Sequence, residues 1–317
     1  MRARALAIGN DPIAEEAAQD FLIAGGSAVG AVLSGYFSAC GGYAGVLLGP
    51  LTILVAGIGV GARAFDGRVC QPGRGAKRPR GFLLDEEVPA AAKVGVPTSV
   101  AAALVAHAYD GSQRLAAIVK PGISRAQRSG ADSRAEVLRR VRAVGASALG
   151  EPSFVRPMLH VAGQSEGGMI TPTDFAAILE LDAPAASQMI DGHSVFEAPW
   201  AEAAEASQGI GCALCAVDSR GVFAALSYRR TTDGIPIEEL ELEAPEAAVP
   251  VLRGVERVAP GTRIPAPAPI AIRCDESGVP FEVVACPSAV RLDALRSEAP
   301  ILKIVRDSTQ QLDASRT

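Results

Sequence analysis

Two textures divide the chain: Ala-rich stretches with helical spacing, and short apolar runs closed by Gly or Pro. Residues 12–40 are of the first kind. The Gly25-Gly26 break within them predicts a helix C-cap, with a new helix starting at Ser27. Residues 43–70 are of the second kind and predict two buried strands. "PTSVAAALVAHAYDG", 97–111, predicts a helix with proline in its first turn and glycine at its end. "SRAEVLRRVRAVGASAL", 133–149, predicts an amphipathic helix with an arginine-rich outer face. "TPTDFAAILEL", 171–181, opens like a helix, with a capping threonine and an acidic group in the first turn. From 211 onward strands dominate, in "CALCAVDS", "VFAALSYRR", "APIAIRCD" and "PFEVVACP", joined by Pro- and Gly-rich links. Residues 296–317 are polar and are expected to fray as a C-terminal tail. The pattern implies helices around packed β-layers, with a junction near 200–210 inside one core and no internal repeat.

Composition narrows the function. With 317 residues, 49% hydrophobic and 21% charged, the chain can bury a large core. Aromatics are only 4%, so packing relies on Ala, Val, Leu and Ile. A net charge of −5 leaves no basic footprint, which argues against nucleic acid as a partner. The one basic cluster, "GRGAKRPR" at 73–80, runs straight into the acidic "DEE" at 85–87 and reads as a solvated loop. The apolar run 43–65 is long enough to cross a bilayer, but Gly49-Pro50 and Gly57, Gly59 and Gly61 break it, which favours sheet strands over a membrane span. No apolar segment of signal-peptide type precedes Asn10 and Asp11, so a cytoplasmic location and reduced cysteines are expected. Cys212 and Cys215 form a C-x-x-C, but three apart on a strand they point to opposite faces. With His107, His160 and His193 isolated in sequence, neither a metal nor another cofactor is expected.

A family resemblance runs through these segments. "AEEAAQDFLIAGGSAVGAV", 14–32, resembles the opening of the γ-glutamyltranspeptidases, members of the N-terminal-nucleophile hydrolase superfamily. "VGVPTSVAAALVAHAYDG", 94–111, "EGGMITPTDFAAI", 166–178, and "GHSVFEAPW", 192–200, resemble later family segments in the right order. "CALCAVDSRG" lies where the family has its nucleophile strand, and "PGTRIPAPAPIAI", 260–272, resembles the segment carrying its paired serines. The resemblance covers roughly residues 10–290. It implies an α/β fold, a four-layer αββα sandwich. Residues 1–210 would correspond to the large subunit and 211–295 to a shortened small subunit. Oligomeric state, homo- or hetero-, stays open.

The resemblance also implies a chemistry. Autocleavage in the family frees a threonine whose own α-amino group, with a pKa of about 8, activates the hydroxyl. Backbone N–H groups hold the oxyanion, and an arginine pairs with the donor carboxylate. Anchored on Ala216-Val217-Asp218, the alignment puts Gly211 at the nucleophile position, and glycine has no nucleophile. A one-residue shift would put Cys212 there, a chemically competent thiol. The paired serines correspond to Ala266 and Pro267, and the second oxyanion segment to Ser288 and Ala289. Arg74, in "GRGAKRP", matches the donor-carboxylate arginine with one inserted residue. Two readings stand. One is a homologue without the threonine chemistry, serving as a binding or structural protein for a small γ-glutamyl or amino-acid-like carboxylate. The other is an amide hydrolase or acyltransferase with Cys212 as nucleophile.

Overall fold

A computed structural model describes residues 4–59, 61–76, 81–84, 87–177, 179–201, 209–288, 301–307 and 309–316. The first helix, α1 (Pro12–Ile23), starts where the Asp11 carboxylate accepts the Ile13 N–H, with proline in the first turn. The Gly25-Gly26 break then feeds α2 (Ala28–Gly42), capped by Ser27 Oγ, which accepts the Gly30 N–H. Small residues let α2 bury almost completely. A Cβ on Gly41 would lie 2.0 Å from the Gly122 carbonyl oxygen, so α2 and α4 (Leu115–Arg128) touch backbone to backbone. α3 (Ser99–Asp110) ends at Gly111 in the left-handed conformation, as its sequence predicts. α5 (Asp132–Val144), α6 (Pro152–Ala162) and the single turn α7 (Pro172–Phe175) complete the helices. The helix expected over 171–181 is thus one capped turn.

Two six-stranded antiparallel sheets stack beneath the helices. In the first, β1 (Leu6–Gly9), β7 (Ile210–Val217), β8 (Phe223–Arg230), β2 (Leu51–Ala56), β3 (Ala62–Gly67) and β4 (Asp182–Pro184) lie in that order. In the second the order is β14 (Leu312–Arg316), β13 (Leu302–Arg306), β12 (Pro280–Ala285), β11 (Ile270–Cys274), β6 (His193–Glu197) and β5 (Ala186–Ile190). A two-stranded ribbon, β9 (Ile235–Ile237) with β10 (Leu242–Ala244), stands apart. The apolar run 43–65 supplies the β2–β3 hairpin, and no described helix is long and apolar enough to cross a membrane.

Strand periodicity divides the core in two. Cys212, Leu214 and Ala216 of β7, with Ala224, Leu226 and Tyr228 of β8, pack under the helices. Ala213, Cys215 and Val217, with Phe223 and Ala225, face the second sheet. The α–β–β part of the expected sandwich is therefore built. On the outer face of the second sheet the described residues place a small buried cluster, Val195, Ala271 and Val284.

The C-terminal tail departs from expectation. Residues 302–306 and 312–316 do not fray but form the β13–β14 hairpin, with Leu302 and Ile304 buried between the sheets. Their polar look comes from alternation: Lys303 faces out and pairs with Glu282, while Ile304 faces in. The expected junction falls largely on 202–208, outside the described residues. The strands flanking it, β6 and β7, belong to different sheets, but β7 pairs with β1 and β8, so chain from before and after the junction shares the first sheet.

Candidate functional site

The strand that the resemblance singles out, β7, begins at one end of the two-sheet stack. Antiparallel pairing brings the end of β8, the start of β2 and the end of β3 to the same end, through Cys212↔Tyr228, Leu51↔Tyr228 and Leu51↔Gly67. The second sheet contributes the end of β12 and the start of β11, paired through Ile270↔Ala285. Gly211 thus lies at the end of the sheet–sheet interface, on the strand that the resemblance singles out.

That place is closed. A Cβ built on Gly211 would sit 1.8 Å from the Pro287 carbonyl oxygen, a separation no side chain can occupy. The peptide just before Ser288, in the segment matching the family's second oxyanion loop, fills the space of the side chain itself. Ser288 is exposed in a turn, and Ala289 lies outside the described residues. Ala266 and Pro267 are buried and offer no hydroxyl. Asn10 holds the strand from its other edge: its Nδ2 donates to the Gly211 carbonyl at 2.9 Å, and its Oδ1 accepts the Ala213 N–H at 2.8 Å.

Cys212 faces away from the second sheet. Its side chain packs under the helices with Tyr228, at 3% exposure, and its thiol lies 3.8 Å from the Ile210 carbonyl oxygen. Burial, reinforced by the nearby Asp11 carboxylate, pushes the Cys212 thiol up to about 11. Asp11 is itself held by the Tyr228 hydroxyl, which donates to it at 2.7 Å. A thiol of that pKa is about one part in ten thousand thiolate at pH 7. Cys215 is the cysteine that points between the sheets, and there it is fully enclosed, its thiol pushed up by burial. The two cysteines thus lie on opposite faces of β7, and no described His/Cys/Asp/Glu cluster could hold a metal ion.

Arg74 occupies a loop seven residues beyond the end of β3, itself the third strand from β7 in the sheet. Its backbone is clamped by the buried Asp174 carboxylate, which accepts N–H groups of Gly73 at 3.0 Å, Arg74 at 2.9 Å and Thr171 at 2.9 Å. Thr171 Oγ1 donates to the Arg74 carbonyl at 2.7 Å. The Thr171–Asp174 pair, matched to the family at sequence level, is therefore the anchor of the arginine loop. The half-buried guanidinium of Arg74 lies so close over Gly261 that its Nη2 would be 2.0 Å from a Cβ there. No ion-pair partner for it occurs among the described residues.

Sequence reasoning missed a second arginine at this end. Arg229 of β8 donates from Nη1 to the Gly209 carbonyl at 3.1 Å and has no carboxylate partner among the described residues. Partial burial holds its guanidinium below the usual arginine value. Nothing in the strand pattern of "ALSYRR" separates it from an ordinary solvated strand end. Pro287 was likewise invisible, because its role depends on a contact between two sheets.

The sequence matches no family model and no curated protein. Solved structures do match. LmbA2991 superposes with a TM-score of 0.78 at 13% identity, over 100% of this chain and 97% of its own. Cephalosporin acylase from Bacillus halodurans gives 0.74 at 12% identity, covering 99% of this chain and 94% of its own. A γ-glutamyltranspeptidase from Pseudomonas nitroreducens, complexed with L-DON, gives 0.51 at 18% identity over 60% of this chain and 69% of its own. The fold is that of the γ-glutamyltranspeptidase-like N-terminal-nucleophile hydrolases. Within that fold, nearly full coverage by the first two means that the short β-rich half is shared with them. β7 then lies where the resemblance puts the nucleophile strand, with glycine at its key position and a carbonyl in place of the side chain.

Proposed function

We propose that this protein uses the γ-glutamyltranspeptidase-like fold without threonine-dependent acyl transfer, as a non-catalytic binding or structural homologue. One observation carries the reading: at Gly211 no side-chain nucleophile fits, because the Pro287 carbonyl oxygen stands 1.8 Å from the Cβ position. Maturation by acyl shift requires a hydroxyl or thiol at the scissile bond, so the same obstruction argues for a chain that stays whole. The alternative, an amide hydrolase using Cys212, needs that thiol to leave the helix–sheet core, rotate to the other face of β7 and lose about four pKa units to act at neutral pH. As ligand we propose a small amino-acid-like carboxylate at Arg74, whose backbone is clamped by Asp174 and whose guanidinium lacks an acidic partner among the described residues.

Intact-mass measurement of the expressed chain, and of Gly211→Thr, tests the catalytic half of this reading. Both are expected to remain single chains, with Gly211→Thr destabilised by about 2 kcal/mol or more through overpacking. A pair of fragments split at 211/212 in the unaltered protein would establish Cys212 chemistry. Self-cleavage of Gly211→Thr at native stability would remove Pro287 as an obstacle.

A further inference from the structure

The opposite end of β7 carries a second polar site. There, roughly 23 Å from Gly211 at about 3.3 Å per residue, the turn between β7 and β8 meets the turn of the β13–β14 hairpin. Together they line a half-open cleft of about 430 Å³, a size common for small-molecule sites. Arg4, Arg220 and Arg306 line it with Gln310 and Gln311, and Asp218 is the only acid among its described lining residues.

That acid is already committed. Asp218 accepts the Ala28 N–H at the start of α2 at 3.1 Å, the Arg220 N–H at 2.9 Å and the Val222 N–H at 3.1 Å, and it pairs with the Arg220 guanidinium at 3.0 Å. Arg220 also reaches Asp110 at 3.1 Å. Arg306 differs from it. No carboxylate among the described residues lies within ion-pair distance of Arg306. Its guanidinium stacks on the buried Phe223 ring at 4.7 Å. It also lies over Gly221, where a Cβ would come within 3.1 Å of both terminal nitrogens. Gly221, with φ +88°, is thus needed twice, for the turn and for the approach of the arginine. Partial burial holds the Arg306 guanidinium below its usual value, the state an anionic ligand would relieve.

We propose that this cleft binds a small multivalent oxyanion, carrying a phosphoryl group or paired carboxylates, with Arg306 as its fixed fork and Arg220 and Arg4 as flanking charges. The site is independent of what happens at Gly211. Titration calorimetry of the full chain with pyrophosphate, inorganic phosphate and citrate at physiological salt provides the test. Saturable binding is expected, weakened about tenfold or more in Arg306→Gln, because a charge-assisted bidentate contact is lost. Tighter binding of pyrophosphate than citrate assigns a phosphoryl ligand, and the reverse order assigns a polycarboxylate. In the unaltered protein, amide resonances of Gly221, Gln310 and Gln311 should shift on binding while that of Gly211 does not. This readout decides the matter even if Arg306→Gln fails to fold. The proposal is overturned by absence of saturable binding of all three anions, by equal affinity in Arg306→Gln, or by shifts confined to other regions.

Discussion

Arg74 and Gly261 are fitted to each other: only a residue without Cβ at 261 lets the guanidinium lie across that turn. Asp174 clamps the backbone that carries the side chain, so the loop need not order on binding a carboxylate. Glutamate is therefore expected to bind weakly to the unaltered chain, and Arg74→Ala to lose that binding while staying folded, since truncating a half-buried loop side chain costs about 1 kcal/mol. Equal calorimetric isotherms for the two proteins would return Arg74 to the role of a solvated loop cation. At this scale the sequence was partly readable. Local motifs marked Gly211 and Arg74 as candidates, and marked Ala266 and Pro267 as the positions that the resemblance pairs with serines. The facing of Cys212 could not, because alternation fixes which residues share a face but not which face looks at the second sheet. The plug at Pro287 could not either, since it arises between residues 76 positions apart in different sheets.

Among the elements, those with clear punctuation were legible. Ser27 and the Gly25-Gly26 break marked α2, Gly111 closed α3, and Gly49-Pro50 introduced the β2–β3 hairpin. α4 and α6 escaped because Pro121 and Pro157 stand inside them, where proline ordinarily ends a helix. The β13–β14 hairpin escaped because an edge strand with one wet face reads as polar. Its contribution to the core is nonetheless specific: Ile304 is fully buried between the sheets. Ile304→Ala should lower unfolding free energy by about 3 kcal/mol, within the range for a large-to-small core change. A denaturation curve showing a loss of less than about 1 kcal/mol would mean that the hairpin is a loosely attached strip.

Across the whole molecule, all six cysteines are buried. Burial pushes the thiols of Cys212 and Cys274 up from 9.0 to about 11, and those of Cys40 and Cys215 higher still. The hydroxyls of Tyr36 and Tyr228 move in the same direction. The unfolded chain therefore releases these protons at lower pH than the folded one. Stability from keeping them neutral is complete below pH 9 and is lost as pH rises from about 9 through about 11, with Cys212 contributing on the order of 2 kcal/mol. Thermal melts between pH 8 and 11 should show a steep decline over that interval. A flat profile would indicate that the cysteines reach solvent.

The carbonyl beside Gly211 also makes two positions depend on each other. A threonine at 211 clashes while Pro287 keeps its place, and a displaced Pro287 peptide leaves an unfilled gap while 211 remains glycine. Each change alone is expected to lower stability, and on the reading proposed above only the pair would give a side chain room at this strand end, so the two should be strongly non-additive. Selection acting one substitution at a time meets a valley between the closed and open forms. A search for acquired amidase activity in this scaffold should thus randomise 211 together with 286–288, because libraries at either place alone sample only the walls of that valley.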